Sequence, residues 1–88
     1  MNDEPKWYSI EVIISAAHRQ RVDPALLFGW YFLYRPDAVK TTNDPYCGKQ
    51  ISFDGRYFEN AIFDLQNHKT SQLEIMDMLQ AAENNGLL

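Results

Sequence analysis

The sequence contains one cysteine, Cys47, and lacks any run of 18 apolar residues. One thiol cannot form a disulfide within the chain, and this sparse use of cysteine suits a reducing compartment. The absence of a long apolar run excludes a membrane-spanning helix. Acidic residues also stand near the start of the chain, where a signal peptide would carry positive charge. We therefore expect a cytoplasmic protein that does not associate with membranes.

Residue groupings that perform chemistry are missing as well. The candidate metal ligands His18, Cys47 and His68 lie far apart in the sequence, whereas structural zinc sites use closely spaced pairs of ligands. Cys47 and a possible base, His68, could meet only through folding, and nothing in the sequence requires that they do. The four glycines are scattered and form no loop that could hold a phosphate. We expect no metal, no cofactor and no enzymatic activity.

Basic residues are fewer than acidic ones, with 8 Lys and Arg against 12 Asp and Glu, for a formal net charge of -4. A general nucleic-acid binder carries a basic surface, so nucleic-acid binding is not expected. The negative charge arises entirely in residues 54–88, because the bases and acids of residues 1–53 balance. The acids of this second part are Asp54, Glu59, Asp64, Glu74, Asp77 and Glu83. An acidic region of this kind can attract a partner protein that has a basic surface.

Apolar periodicity predicts helices in the first half of the chain. The first helix is predicted over 9–21, with Ser9 as its N-cap, from apolar residues at i, i+3, i+4 and i+7, namely Ile10, Ile13, Ile14 and Ala17. Asp23 and Pro24 form a typical helix start, and the second helix is predicted to end at Tyr34, before Arg35 and Pro36. Residues 36–50 contain prolines and polar residues without an apolar repeat and are predicted to form a loop.

Two more helices are predicted in the second half. The third contains an apolar stripe and ends near Asn67 and His68; its stripe is Phe58, Ala61, Ile62 and Leu65. The fourth starts at a capping box of Ser71 and Glu74 and stops at Gly86. Its predicted buried side is Leu73, Met76, Leu79 and Ala82, widened by Ile75 and Met78. Residues 50–58 are ambiguous: Asp54-Gly55 is typical of a hairpin turn, but Ser52 or Asp54 could instead cap the third helix.

The fold class that follows is a mostly α domain of four helices over residues 1–88, with residues 1–6 frayed. The sequence also permits a short β-hairpin near residues 50–58 in addition to the four helices of this bundle.

The segment 13–27, which includes the run Val-Asp-Pro-Ala-Leu-Leu at 22–27, resembles the helix–turn–helix segment of goose-type lysozymes and soluble lytic transglycosylases. In those families this run opens the helix that carries the catalytic Glu near its far end. The matching position here is Tyr34, and no acid occurs between Pro24 and Pro36. Since a glycosidic oxygen cannot be protonated without a general acid, the resemblance extends to the helix start and does not imply lysozyme activity.

The first two helices also share the outline of a DNA-binding helix–turn–helix, which provides an alternative function. In that case His18, Arg19, Arg21 and Arg35 would contact DNA. A recognition helix, however, needs polar side chains at the base edges, whereas the second helix offers aromatic rings. DNA binding is therefore the alternative rather than the leading hypothesis.

The second helix concentrates aromatic residues: Phe28, Trp30, Tyr31, Phe32 and Tyr34 lie within seven positions. The helix is either a central core helix or one that leaves a side free for another molecule. Helical spacing places Leu26, Trp30 and Leu33 on one side, and Leu27, Tyr31 and Tyr34 on another.

The leading hypothesis is a small, acidic, non-catalytic protein-binding module. Inhibitors, immunity proteins, antitoxins and small phage-encoded proteins are of this kind. The partner is another protein with a basic surface, or a second copy of the chain. The candidate partner-binding residues are Leu27, Tyr31, Tyr34, Asp64, Glu74 and Asp77.

Overall fold

A computed structural model of the protein describes residues 4–67 and 71–87. The described residues form four α-helices and a three-stranded antiparallel sheet. In chain order the elements are β1 (Trp7–Ser9), α1 (Ile10–Arg19), α2 (Pro24–Tyr34), β2 (Val39–Asp44), β3 (Gly48–Asp54), α3 (Phe58–Asn67) and α4 (Gln72–Asn84). Short 3-10 turns lie at Pro36–Ala38 and Gly55–Tyr57. The fold is therefore α+β, and the expectation of a mostly α, four-helix bundle is wrong.

The four predicted helices are confirmed, and so are the residues that cap them. The Ser9 hydroxyl accepts a hydrogen bond from the Val12 N–H at 3.4 Å, and the Asp23 carboxylate accepts one from the Ala25 N–H at 2.9 Å. The Ser71 hydroxyl accepts from the Glu74 N–H at the start of α4. These side chains satisfy amides that have no partner within the first turn of a helix. The third helix is described up to Asn67, and its predicted end near Asn67 and His68 borders residues that lie outside the described ones.

The C-terminus of α4 is closed by the glycine that the sequence indicated. Gly86 has φ of 75°, a left-handed conformation that glycine adopts without steric cost. The Leu87 N–H then donates to the Ala82 carbonyl at 2.9 Å, and the Gly86 N–H donates to the Glu83 carbonyl at 3.0 Å. These two bonds form the Schellman arrangement that satisfies the last carbonyls of a helix.

The sheet is the part that differs from the sequence prediction. Residues 36–50 were expected to be a loop, yet they contain β2 and the start of β3, and the strands run in the spatial order β1-β3-β2. The hairpin turns at residues 45–47, where the Asp44 carboxylate accepts hydrogen bonds from the Tyr46 and Cys47 N–H groups at 2.7 and 3.2 Å. Asp44-Pro45 is a turn signal of this type.

Asp54-Gly55 is therefore not a hairpin turn, and neither Ser52 nor Asp54 caps the third helix directly. The Asp54 carboxylate accepts from the Arg56 N–H at 3.0 Å and caps the 3-10 turn that leads into α3. β2 escaped prediction because its middle residues are polar and exposed on both faces, so no apolar alternation marks the strand.

α2 is the centre of the core. Leu27, Phe28, Trp30 and Tyr31 are all buried, because α1, α3, α4 and one face of the sheet surround this helix. The Phe28 ring stacks on that of Phe53 in β3, with 5.2 Å between ring centroids. The interpretation of the aromatic helix as a central core helix is thus confirmed, and it determines which of its residues can meet a partner.

Candidate protein-binding surface

Two of the candidate partner-binding residues lie inside the protein. Leu27 and Tyr31 are both 0% exposed, and the Tyr31 hydroxyl donates to the Asp54 carbonyl at 2.8 Å. Both share a side of α2 with Tyr34, as the helical spacing indicated, but that side is covered along most of its length. The expectation that it stays open at Leu27 and Tyr31 does not hold.

The other four candidates come together at the last turn of α2. Tyr34 is 49% exposed, and the carboxylates of Glu74, Asp77 and Asp64 lie close enough to act on its hydroxyl. Partial burial raises the pKa of Tyr34, and these three charges and a hydrogen bond to Glu74 raise it further, because an anionic phenolate is unfavourable near carboxylates. We call Tyr34, Asp64, Glu74 and Asp77 the acidic surface.

Neighbouring groups hold two of these carboxylates in position. The Trp30 indole Nε1–H donates to the Asp64 Oδ2 atom at 3.0 Å, which fixes the α3 carboxylate beside the end of α2. The Ser71 hydroxyl donates to the Glu74 Oε1 atom at 3.3 Å, in addition to accepting from the Glu74 N–H. The acidic surface is therefore built by hydrogen bonds from the core helix and from the cap of α4.

No cation compensates the acidic surface within residues 4–67 and 71–87. The helices α3 and α4 contain five acids and no Lys or Arg, and the ion pair found in this part of the chain joins Arg56 to Asp54. Arg35 follows Tyr34 directly, but its guanidinium lies over the Tyr57 ring, 4.8 Å from the centroid. Among the described residues, these three carboxylates near the Tyr34 phenol thus have no salt-bridge partner, which gives this part of the structure a negative potential.

Exposed apolar residues lie on the same helix as two of these acids. Leu73 is 73% exposed and Met76 is 56% exposed, although both were predicted on the buried side of α4. The buried residues are Met78 and Ala82, with Ile75 half-buried. The predicted stripe is therefore wrong for Leu73 and Met76. The missed signal was that α4 has apolar residues on two sides, of which the core can cover one.

The described structure also bears on the other kinds of site considered from the sequence: a reactive thiol, a metal site, a membrane helix and a DNA-binding helix–turn–helix. Cys47 is exposed at the hairpin tip, and no group of three or more His, Cys, Asp or Glu that could hold a metal occurs among the described residues. None of the helices described is long and apolar enough to cross a membrane. The helix–turn–helix outline gains no support, because α2 is buried and presents no recognition face.

Compared with known protein families, curated proteins and solved structures, the chain has no significant match to any of them. No relative therefore adds support to the resemblance between residues 13–27 and the lysozyme families.

Proposed function

We propose that this protein is a small, non-catalytic protein-binding module whose acidic surface binds a basic surface of another protein. It would act in the cytoplasm, as an inhibitor, immunity protein or antitoxin does, by covering part of its partner. Regulation by contact of this kind needs a stable surface and no reacting group of its own.

One observation carries this proposal: Tyr34 is half-exposed among three carboxylates that come from two other helices and have no counter-charge in the described structure. Tyr is favoured at interfaces because its ring is apolar while its hydroxyl tolerates water. Uncompensated charges steer an oppositely charged partner and select against like-charged ones. A basic protein would neutralise this surface, which supports a basic partner over a neutral one.

Two matched triple variants test the proposal. The site variant Asp64→Asn, Glu74→Gln and Asp77→Asn removes three charges from the acidic surface. The control variant Glu11→Gln, Asp37→Asn and Glu59→Gln removes three exposed charges elsewhere. Both change the net charge equally, so a difference between them reports position and not overall charge.

The measurement starts by identifying proteins that the tagged wild-type chain captures from a lysate of its source organism. We expect a basic protein that the control variant retains and the site variant loses. The purified pair should then bind at least about tenfold more weakly with the site variant, a difference of about 1.4 kcal/mol, and wild-type binding should weaken as salt rises. Equal binding of that partner by both variants would contradict the proposal.

A further inference from the structure

Building on the proposed function, we infer that the outer face of α4 binds a basic amphipathic helix of the partner protein. This outer face comprises Leu73, Met76 and Gln80, which share one side of the helix at spacings of three, four and seven residues. Leu73 and Met76 are adjacent on it and largely exposed. Single exposed apolar residues are common on protein surfaces, but a neighbouring pair forms a patch that another molecule can cover.

The charges beside this patch indicate what covers it. Asp77 lies next to Leu73 at a spacing of four residues, and Glu83 lies on the other side, seven residues beyond Met76. The apolar pair is thus bordered by a carboxylate on each side, and α4 contains no Lys or Arg. An occupant that matches this pattern has an apolar stripe with Lys or Arg on both of its borders.

Helical geometry favours a helix as that occupant. The apolar stripe of one helix is normally covered by another helix, whose side chains fit between its own at an interaxial distance of about 8–10 Å. A helix lying along α4 would also pass the acidic surface, because Asp77 borders the outer face and belongs to the acidic surface as well. One of its cations could then lie over the Tyr34 ring, where cations are attracted to aromatic faces.

A second copy of the chain fits this face less well. Two outer faces related by a two-fold axis would bring Asp77 and Glu83 of one copy against the same acids of the other. Like charges in an interface oppose association. Nucleic acids and anionic membranes carry the same sign of charge and are disfavoured for the same reason.

A synthetic peptide provides the test without knowledge of the native partner. The probe is a fluorescent 18-residue peptide of Leu and Lys, ordered so that Leu forms one side of a helix. A second peptide has the same composition in scrambled order, and a third has Glu in place of Lys. Anisotropy at physiological ionic strength should detect binding of the ordered Leu and Lys peptide, weaker binding of the scrambled one and none of the Glu peptide.

Two protein variants locate the binding. Leu73→Ser with Met76→Ser removes the apolar pair, and Val12→Ser with Phe63→Ser removes two exposed apolar side chains from other helices. Because all four side chains lie at the surface, with Val12 the least exposed at 45%, each variant should unfold at a temperature close to that of the wild type. We expect the first variant to bind the ordered peptide at least tenfold more weakly and the second to bind within twofold of the wild type.

The inference is overturned if the wild type does not bind the ordered peptide, or if the Leu73 and Met76 variant binds it equally well. It is also overturned if sedimentation detects a wild-type dimer that this variant abolishes, since the face would then bind a second copy. A native partner that needs Asp64, Glu74 and Asp77 but not Leu73 and Met76 would refute this inference and leave the proposed function intact. A partner that ignores the three acids would instead refute the proposed function.

Discussion

Asp54 shows how a single side chain ties several elements together. It is 1% exposed, and its carboxylate accepts from the Arg56 guanidinium at 2.7 Å and from the Arg56 N–H at 3.0 Å. Burial raises the pKa of Asp54, but the hydrogen bonds and charge of Arg56, with a hydrogen bond from the Lys6 backbone, outweigh burial and lower that pKa below its ordinary 3.8. The ionised form is therefore favoured by folding.

Asp54→Asn should lower the free energy of unfolding at neutral pH by about 1–3 kcal/mol, because the amide replaces a charged acceptor inside the protein. The wild-type advantage should be present above pH 3.8, the unfolded pKa, and should be lost as pH falls through the lower folded pKa. Urea unfolding at several pH values measures both effects. Asp37→Asn, at an exposed position, is the control and should change stability by less than about 0.5 kcal/mol. A difference in unfolding free energy between the wild type and Asp54→Asn that stays constant at all pH values would contradict this account.

Tyr31 and Tyr34 make a matched pair, since one hydroxyl is buried and the other lies at the surface. Tyr31→Phe removes the 2.8 Å hydrogen bond to the Asp54 carbonyl and should cost about 0.5–1.5 kcal/mol of unfolding free energy. Tyr34→Phe should leave stability nearly unchanged. Burial, followed by the charge of Asp54, also raises the pKa of Tyr31, so its contribution should be present below pH 10.0 and lost as pH rises further. Chemical denaturation of both variants compares the losses, and equal losses would show that the assignment of core and surface is wrong.

At the scale of the elements, α2 and α4 cross with their backbones in close approach at Gly29. A Cβ atom added at Gly29 would lie 2.0 Å from the Met78 carbonyl oxygen, a backbone atom that cannot rotate away. Glycine is therefore required here for the close approach of two helices, and the crossing covers one side of the aromatic helix.

Gly29→Ala should destabilise the protein by at least about 1–3 kcal/mol, because the two helix backbones must separate and the packing around them must adjust. Gly86→Asn is the control: an added Cβ atom meets no neighbour within 4 Å, and Asn is among the residues that tolerate the left-handed backbone. Thermal unfolding should separate the two variants clearly. If Gly29→Ala unfolds at the wild-type temperature, the helices do not approach as described.

The helices could be predicted from the sequence, whereas the sheet could not. Ser9, Asp23, Ser71 and Gly86 act within one turn of their own residues, so local pattern is sufficient to place them. β2 is stabilised by pairing with β3, and its polar residues carry no local signature of that pairing. β1 pairs with a strand more than forty residues away, and such partners are invisible to periodicity.

The candidate site was predictable in part for a similar reason. The acids were identified by the excess of negative charge in residues 54–88, and Tyr34 was identified by its position in the aromatic helix. The fold brings these residues together. Leu27 and Tyr31 were misplaced because helical spacing groups residues on a side but cannot tell how far along the helix that side is covered.

At the scale of the whole molecule, charge is distributed unevenly in a way that opposes folding. The acidic surface gathers negative groups from α3 and α4 around Tyr34, and like charges that are brought together by folding destabilise the compact state. Such a cost at one location is typical of surfaces that serve binding rather than stability.

Asp77→Lys should therefore raise the free energy of unfolding by about 0.2–0.5 kcal/mol at low ionic strength, since it replaces a repulsive pair with Glu74 by an attractive one. The gain should vanish at 1 M salt, where charges are screened within about 3 Å. Asp37→Lys should give no such salt-dependent gain. The same Asp77→Lys variant should no longer bind the partner. If Asp77→Lys is instead less stable than the wild type and binds the partner fully, the surface is not kept acidic for binding.

The position of α2 at the centre of the fold also has a consequence for synthesis on the ribosome. The apolar, ring-rich segment Pro24–Tyr34 is made early, but α4, which closes over Gly29, and β3, which supplies Phe53, are made much later. Until they emerge, an aromatic helix has no cover and is exposed to aggregation or to chaperones. A nascent chain that stops before α4, the helix that also carries the proposed binding face, should therefore be recognised by the cell as unfolded.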